Sequence, residues 1–278
     1  MNNRITLAFT PCPNDLFVFY PILKNKIDEI KNTNFEIIIE DISTINQYAT
    51  TNSLDFTKLS TFAYNFLKND YNFLKVGSVI VFQDGPILIS KIKIYPDEVE
   101  DVKIGIPGLN TTAFSLLLLK YNIKKENIKV YKYNDLMEAV LDNEIEASLI
   151  IHEQRFIYQK YKLKKIIDFG EWWFEEKKLP LPLALITYIK TLPPEQIIWF
   201  ENILQKSLLY SFDHYYEIIN FIADFTKNKN KEIIYKHICT FVNEFTLDIG
   251  KLGNLALNTL LKEYENINNK INEFINNY

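Results

Sequence analysis

Ala147-Ser148-Leu149-Ile150-Ile151-His152-Glu153-Gln154-Arg155-Phe156 is the stretch from which the fold can be read. An apolar run rich in β-branched residues stops at a histidine beside a carboxylate. A helix-type spacing of apolar residues follows through Phe156, Ile157 and Tyr161. That is a strand feeding a helix. In open α/β sheets ligands sit in the crevice at the carboxyl ends of the strands, so an imidazole at such an end lies over a binding site. A histidine there can equally be a helix-start or core residue, and these ten positions alone leave both readings open.

The same strand-then-helix pattern recurs on either side. Residues 4–9, 35–40 and 54–59 read as strands and 16–27, 41–50 and 61–67 as the helices after them. Asn14 or Asp15 and Ser60 stand where N-caps are needed, and Ser43 or Thr44 lies near the start of the second of these helices. Residues 73–82 and 86–90 are further strands, joined by the turn residues Gln83-Asp84-Gly85. The polar stretch 91–101, with Pro96, is the expected crossing into a second domain. There the pattern restarts: strands at 102–107, 128–133 and up to His152, helices at 113–121 and 136–141, then a strand at 165–169 and a short helix at 171–178. After the stiff Leu179-Pro180-Leu181-Pro182, residues 183–190 read as a strand returning to the first domain, and helical patterns fill 195–225, 231–245 and 255–275.

The expected architecture is therefore α/β, with a discontinuous domain of residues 1–92 and 187–278 that carries the C-terminal helices, a second domain of residues 93–186, and a cleft between them. With 47% hydrophobic and 14% aromatic residues, the 278-residue chain has material for two real cores, which excludes general disorder. The net charge of −4 arises from 31 basic and 35 acidic residues spread along the chain, so nucleic acid is not an expected partner. Cys12 and Cys239 belong to no C-x-x-C or metal-type cluster. Neither a signal-like apolar stretch nor a membrane-length apolar run occurs, so a reduced, cytoplasmic protein without membrane association is expected.

Two further turns fall where a crevice would lie. Lys58-Leu59-Ser60 offers a hydroxyl and backbone amides at a helix start, although Ser60 could simply be a cap. Gly108-Leu109-Asn110-Thr111-Thr112 carries two hydroxyls where capping needs one, and a helix N-terminus suits a carboxylate or phosphate. Cys12, held between prolines, has no partner base in view. His214 and His237 fall in the helical C-terminal third, and Trp172-Trp173 reads as core. No dinucleotide, nucleotide-triphosphate, paired-histidine metal or serine-hydrolase motif is present.

Five blocks occur in order: Thr10-Pro11-Cys12-Pro13-Asn14-Asp15, Thr57-Lys58-Leu59-Ser60, Thr111-Thr112-Ala113, Ile150-Ile151-His152-Glu153, and Gly170-Glu171-Trp172-Trp173 with Leu179-Pro180-Leu181-Pro182-Leu183. Together they resemble the 1,4-dihydroxy-6-naphthoate synthase family of the futalosine route to menaquinone. The resemblance implies a two-lobed fold like the class II periplasmic solute-binding proteins. It also implies a carbon–carbon lyase without cofactor or metal, acting on the carboxylate substrate cyclic dehypoxanthine futalosine. It puts the catalytic histidine at His152 and the substrate-binding residues at Lys58, Leu59, Ser60, Thr111, Thr112 and Asn14. The chain departs from the family pattern in having Thr10 where serine is common and fewer glycines over residues 77–85. The alternatives are a cytosolic solute-binding or sensor module of the same fold, or the sister enzyme chorismate dehydratase. A homodimer is left as an open expectation.

Overall fold

Short β-branched and aromatic runs build the first sheet of the computed structural model, which describes residues 4–51, 54–226 and 230–275. The first three residues of the N-terminal stretch lie outside the described residues. β1 (Ile5–Phe9) pairs in parallel with β2 (Phe35–Ile39) on one side and β3 (Phe56–Ser60) on the other. Parallel neighbours need crossovers, and α1 (Pro13–Leu23) and α2 (Ile42–Ala49) supply them, with α3 (Thr61–Leu67) following β3. The expected strand over 73–82 is two short ones, β4 (Tyr71–Phe73) and β5 (Val79–Val81), and Gly77 between them takes φ +90°, which an L side chain would resist. Both pair with β11 (Leu181–Ile189), which is antiparallel to β3 and closes the order β2-β1-β3-β11-β4.

One cap expectation gives way. α1 starts at Pro13, with Cys12 at the N-cap and no side-chain cap, because proline already suits the first helical position. Asn14 and Asp15 lie inside the first turn. At α2 the cap is Asp41, whose carboxylate accepts from the amides of Ser43 and Thr44 at 2.9 and 3.1 Å.

The first compact unit, residues 1–80 and 184–251, also holds α7 (Pro194–Asp213), α8 (Tyr215–Phe225), α9 (Lys231–Phe241) and the single turn α10 (Glu244–Leu247). The helix expected over 195–225 breaks at His214. Phe9, Phe17, Phe56, Phe200 and Leu208 are fully buried in its core. Pro21 sits inside α1 and cannot donate to the carbonyl of Phe17, so Ser211 of α7 donates there instead at 2.7 Å, while Ser207 donates to Val18.

The second unit, residues 81–183 and 252–278, has the sheet order β10-β6-β9-β7-β8. Its strands are β6 (Ile87–Ser90), β7 (Ile104–Ile106), β8 (Ile128–Val130), β9 (Ala147–Ile150) and β10 (Lys164–Asp168). β7 runs parallel to β8 and β9, and β6 is antiparallel to β9 and β10. α4 (Thr112–Lys120), α5 (Leu136–Leu141) and α6 (Phe169–Lys177) belong here, with α11 (Gly250–Asn266) from Leu252 on and α12 (Asn268–Ile275).

These bounds differ from the expected 1–92/187–278 and 93–186. β6 is hydrogen-bonded into the second sheet, so the chain has crossed by Val81 rather than within 91–101. The C-terminal helices join the second unit because they complete α4. Buried Tyr264 accepts a hydrogen bond from Ser115 Oγ at 2.9 Å, Lys270 Nζ donates to the last carbonyls of α4 at Leu118 and Tyr121, and Phe274 packs edge-on to Phe114.

Candidate functional site

β9 is fully buried along its length, and His152 follows two positions after its end, half-buried. The helix expected after it is instead a pair of 3-10 turns, His152–Phe156 and Tyr158–Tyr161. His152 has φ +56°, in the left-handed region that favours glycine. Such a residue costs roughly 1–3 kcal/mol and persists only where its surroundings over-determine it, most often at functional positions. The ring of Tyr133 stands edge-on to the imidazole, with centroids 5.0 Å apart and an interplanar angle of 76°. Burial beside it raises the carboxyl pKa of Glu153 above the ordinary glutamate value.

The segment carrying His152 is tied on both sides. Gln154 is buried, and its amide donates to the carbonyl of Asn134 at 3.0 Å, next to Tyr133. The Arg155 guanidinium donates to the Gly85 carbonyl, to Asp84 Oδ1 at 2.6 Å and to Asp168 Oδ2 at 3.2 Å. Asp168 also caps α6 and accepts from the Gly85 amide at 3.0 Å. Burial pushes its carboxyl up, with Arg155 and the backbone amides pulling the other way.

Thr111 and Thr112 open α4, both buried, after a turn in which Gly108 takes φ +153°. Thr111 Oγ1 accepts from the Phe114 amide at 3.2 Å and donates to the Gly108 carbonyl at 2.8 Å, so it is the cap. Thr112 Oγ1 donates to the Leu183 carbonyl at 2.9 Å. Both hydroxyl protons are thus directed at main-chain carbonyls. What this turn presents to an anion is the positive end of α4 itself.

In the first unit the polar residues of the opening motif and of β3 converge on Asp15. Lys58 Nζ lies 2.5 Å from Asp15 Oδ1, with side chains only 6% and 4% exposed. Asn14 donates to the same oxygen at 2.8 Å, and Thr10 donates to Oδ2 through its amide at 3.0 Å and its hydroxyl at 2.5 Å. Removing one partner of such a buried pair typically costs about 3–5 kcal/mol. Ser60 caps α3 by accepting from the Ala63 amide at 3.1 Å, and Asn46 grips it twice, donating to its hydroxyl at 2.9 Å and accepting from its amide at 3.1 Å. Leu59 is wholly buried in β3.

Each unit thus gathers its own sequence-expected residues: Asn14, Lys58, Leu59 and Ser60 in the first, Thr111, Thr112 and His152 in the second. The sequence reading missed Asp15 as the charge partner of Lys58, Asn46 behind Ser60, and Tyr133, Arg155 and Asp168 around His152. Most of their partners are distant in sequence, and no local spacing marks them. His214 is exposed where α7 meets α8, and His237 is buried in α9. Trp173 is fully buried with its indole N–H on the Pro180 carbonyl, a core residue as expected. Among the described residues no cluster of three His, Cys, Asp or Glu could hold a metal, and no helix is long and apolar enough to cross a membrane.

Residues 5–266 match a family model described as menaquinone biosynthesis. A curated 1,4-dihydroxy-6-naphthoate synthase of Thermus thermophilus is 33% identical over 261 residues, covering 94% of each chain. A crystal structure of an Archaeoglobus fulgidus protein is similar with a TM-score of 0.89 and 30% identity, over 95% of this chain and 97% of that one. The periplasmic aliphatic sulphonate binding protein of Escherichia coli shares the fold alone, with a TM-score of 0.65 at 9% identity over 95% and 92% of the chains.

Proposed function

The chain belongs to the 1,4-dihydroxy-6-naphthoate synthase family of menaquinone biosynthesis, with the two-lobed α/β fold of periplasmic binding proteins, and it is an enzyme. From that premise we propose that it cleaves cyclic dehypoxanthine futalosine to 1,4-dihydroxy-6-naphthoate and dihydroxyacetone, with His152 as general base. The observation that carries this reading is the imidazole of His152, presented at the end of β9 on a left-handed backbone and flanked by the Tyr133 ring.

In this reading the neutral imidazole removes a substrate proton. The electron pair released forms a carbonyl as one carbon–carbon bond to the three-carbon fragment breaks, the fragment leaves with the bonding pair as an enolate that takes up a proton, and the second ring enolises to become aromatic. Imidazole suits the step because its unperturbed pKa of about 6.5 leaves the base form populated at neutral pH. The N-terminus of α4, at Thr111 and Thr112, is the carboxylate site of the proposal, since backbone amides and the helix dipole favour an anion there. Asn14, Lys58 and Ser60 take part as a pre-ordered polar group whose side chains are already held by hydrogen bonds, so binding loses little side-chain entropy.

Incubation with cyclic dehypoxanthine futalosine, with naphthoate followed by chromatography, tests the proposal. The wild type is expected to turn over, and His152→Ala and His152→Asn to lose about 100- to 10,000-fold in kcat. No turnover by the wild type removes the proposed substrate and reaction. Full activity in both variants removes His152 from the chemistry.

A further inference from the structure

A left-handed histidine needs something to hold it there, and the residues around His152 show what does. Arg155 leaves the same 3-10 turn three positions later, and its side chain is only 9% exposed. Its guanidinium reaches the Gly85 carbonyl and the carboxylates of Asp84 and Asp168, so one planar fork spans the 84–85 turn and the start of α6.

That platform is rigid. Asp168 Oδ1 accepts from the amides of Gly85 at 3.0 Å, Gly170 at 2.8 Å and Glu171 at 3.4 Å. The backbones of Gly85 and Gly170 meet directly: a Cβ on Gly85 would lie 2.3 Å from the Gly170 nitrogen, and one on Gly170 2.4 Å from the Gly85 nitrogen. On the other side of the turn Gln154 holds the Asn134 carbonyl, and the adjacent Tyr133 ring limits where the imidazole can rotate.

We propose that Arg155 is a positioning residue, whose seating on Gly85, Asp84 and Asp168 fixes the left-handed turn and imidazole orientation of His152. The inference rests on the reading of His152 as general base. Arg155 acts only through the turn it shares with His152. The planar fork is what matters, because a lysine in its place keeps the charge but not the simultaneous reach to a carbonyl and two carboxylates.

Arg155→Lys is the test, beside Lys177→Met, which breaks the Lys177–Glu263 ion pair of the same unit away from this turn. Asp84→Asn is the milder companion, since Asp84 is 43% exposed and its loss leaves the rest of the clamp in place. Arg155→Lys is expected to lower kcat by roughly 10- to 100-fold with KM within about two-fold, as misplacement of a reacting group by about 1 Å does. Asp84→Asn is expected to show a smaller loss in the same direction, and Lys177→Met none.

Imidazole NMR provides a second readout that needs no substrate. The signals of His152, assigned by their absence in His152→Asn, are expected to shift or broaden in Arg155→Lys while those of His214 and His237 stay fixed. Unchanged His152 signals in both clamp variants overturn the proposal whatever the rates do, as does kcat retained within about two-fold in both. A wild type without turnover would instead defeat the general-base reading, and the imidazole signals would still decide whether Arg155 sets the turn.

Discussion

At the scale of single residues, His152 carries a cost in its own backbone. An L-residue in the left-handed region is disfavoured by roughly 1–2 kcal/mol, whereas glycine populates it freely. His152→Gly is therefore expected to be more stable than His152→Ala by about 1 kcal/mol in urea unfolding, although both lack the imidazole. Equal midpoints would mean that the turn relaxes once the side chain is gone. Its neighbour Glu153 has a carboxyl held by burial above the ordinary value of 4.5. A group whose folded pKa is raised binds its proton more tightly in the fold, so stability falls as pH rises from that ordinary value through the folded one. Glu153→Gln cannot ionise and lacks this fall. Its stability relative to the wild type should be near parity around pH 4 and grow towards neutrality, and a pH-independent difference would contradict the buried-carboxyl account. The position of His152 at a strand end was legible in the sequence, because apolar runs and their stops are local. Its left-handed backbone was not, since the partners that hold it are Gly85, Asp84 and Asp168.

At the scale of elements, most strands and helices could be read, because the parallel β1, β2 and β3 are separated by helices of ordinary spacing. What escaped were breaks without a breaker: α7 and α8 part at His214 with neither glycine nor proline, and the turns after β9 are 3-10 rather than α. Proline, conversely, did not break α1. Pro21 lies inside that helix and leaves the Phe17 carbonyl without its helical donor, and the buried Ser211 hydroxyl replaces it. Ser211→Ala is expected to destabilise the protein by about 1–3 kcal/mol, the usual penalty for leaving a buried acceptor unpaired. In a Pro21→Ala background the new amide can donate to Phe17, so the same serine substitution should cost less. A double-mutant cycle by urea unfolding reads the difference directly, and an interaction energy near zero would show that the serine does not stand in for the proline's missing donor.

At the scale of the molecule, the two-unit plan was legible and its bounds were not. Hydropathy marks α11 and α12 as amphipathic helices but cannot say which core their apolar faces meet. That is decided by particular side chains. Tyr264 is buried with its hydroxyl on Ser115 and its pKa driven upward by that burial, and Phe274 meets Phe114 of the same helix, α4. Lys270 donates to the C-terminal carbonyls of α4, where a cation complements the helix dipole. α4 in turn presents Thr111 and Thr112 at its other end. The chain's end therefore supports α4, the helix proposed to hold the substrate carboxylate, although the first unit intervenes in sequence. Deleting the chain from Asn268 onward removes Lys270 and Phe274 but leaves every element of the first unit intact. Amide hydrogen exchange is expected to accelerate in α4, β7 and β9 while β1, β2 and β3 keep their protection, because Lys270 and Phe274 brace α4, an element of the second unit. Equal acceleration in both sheets would show that the units open as one cooperative body, and unchanged exchange in α4 would show that its carbonyl cap and the Phe114–Phe274 contact contribute nothing to its stability.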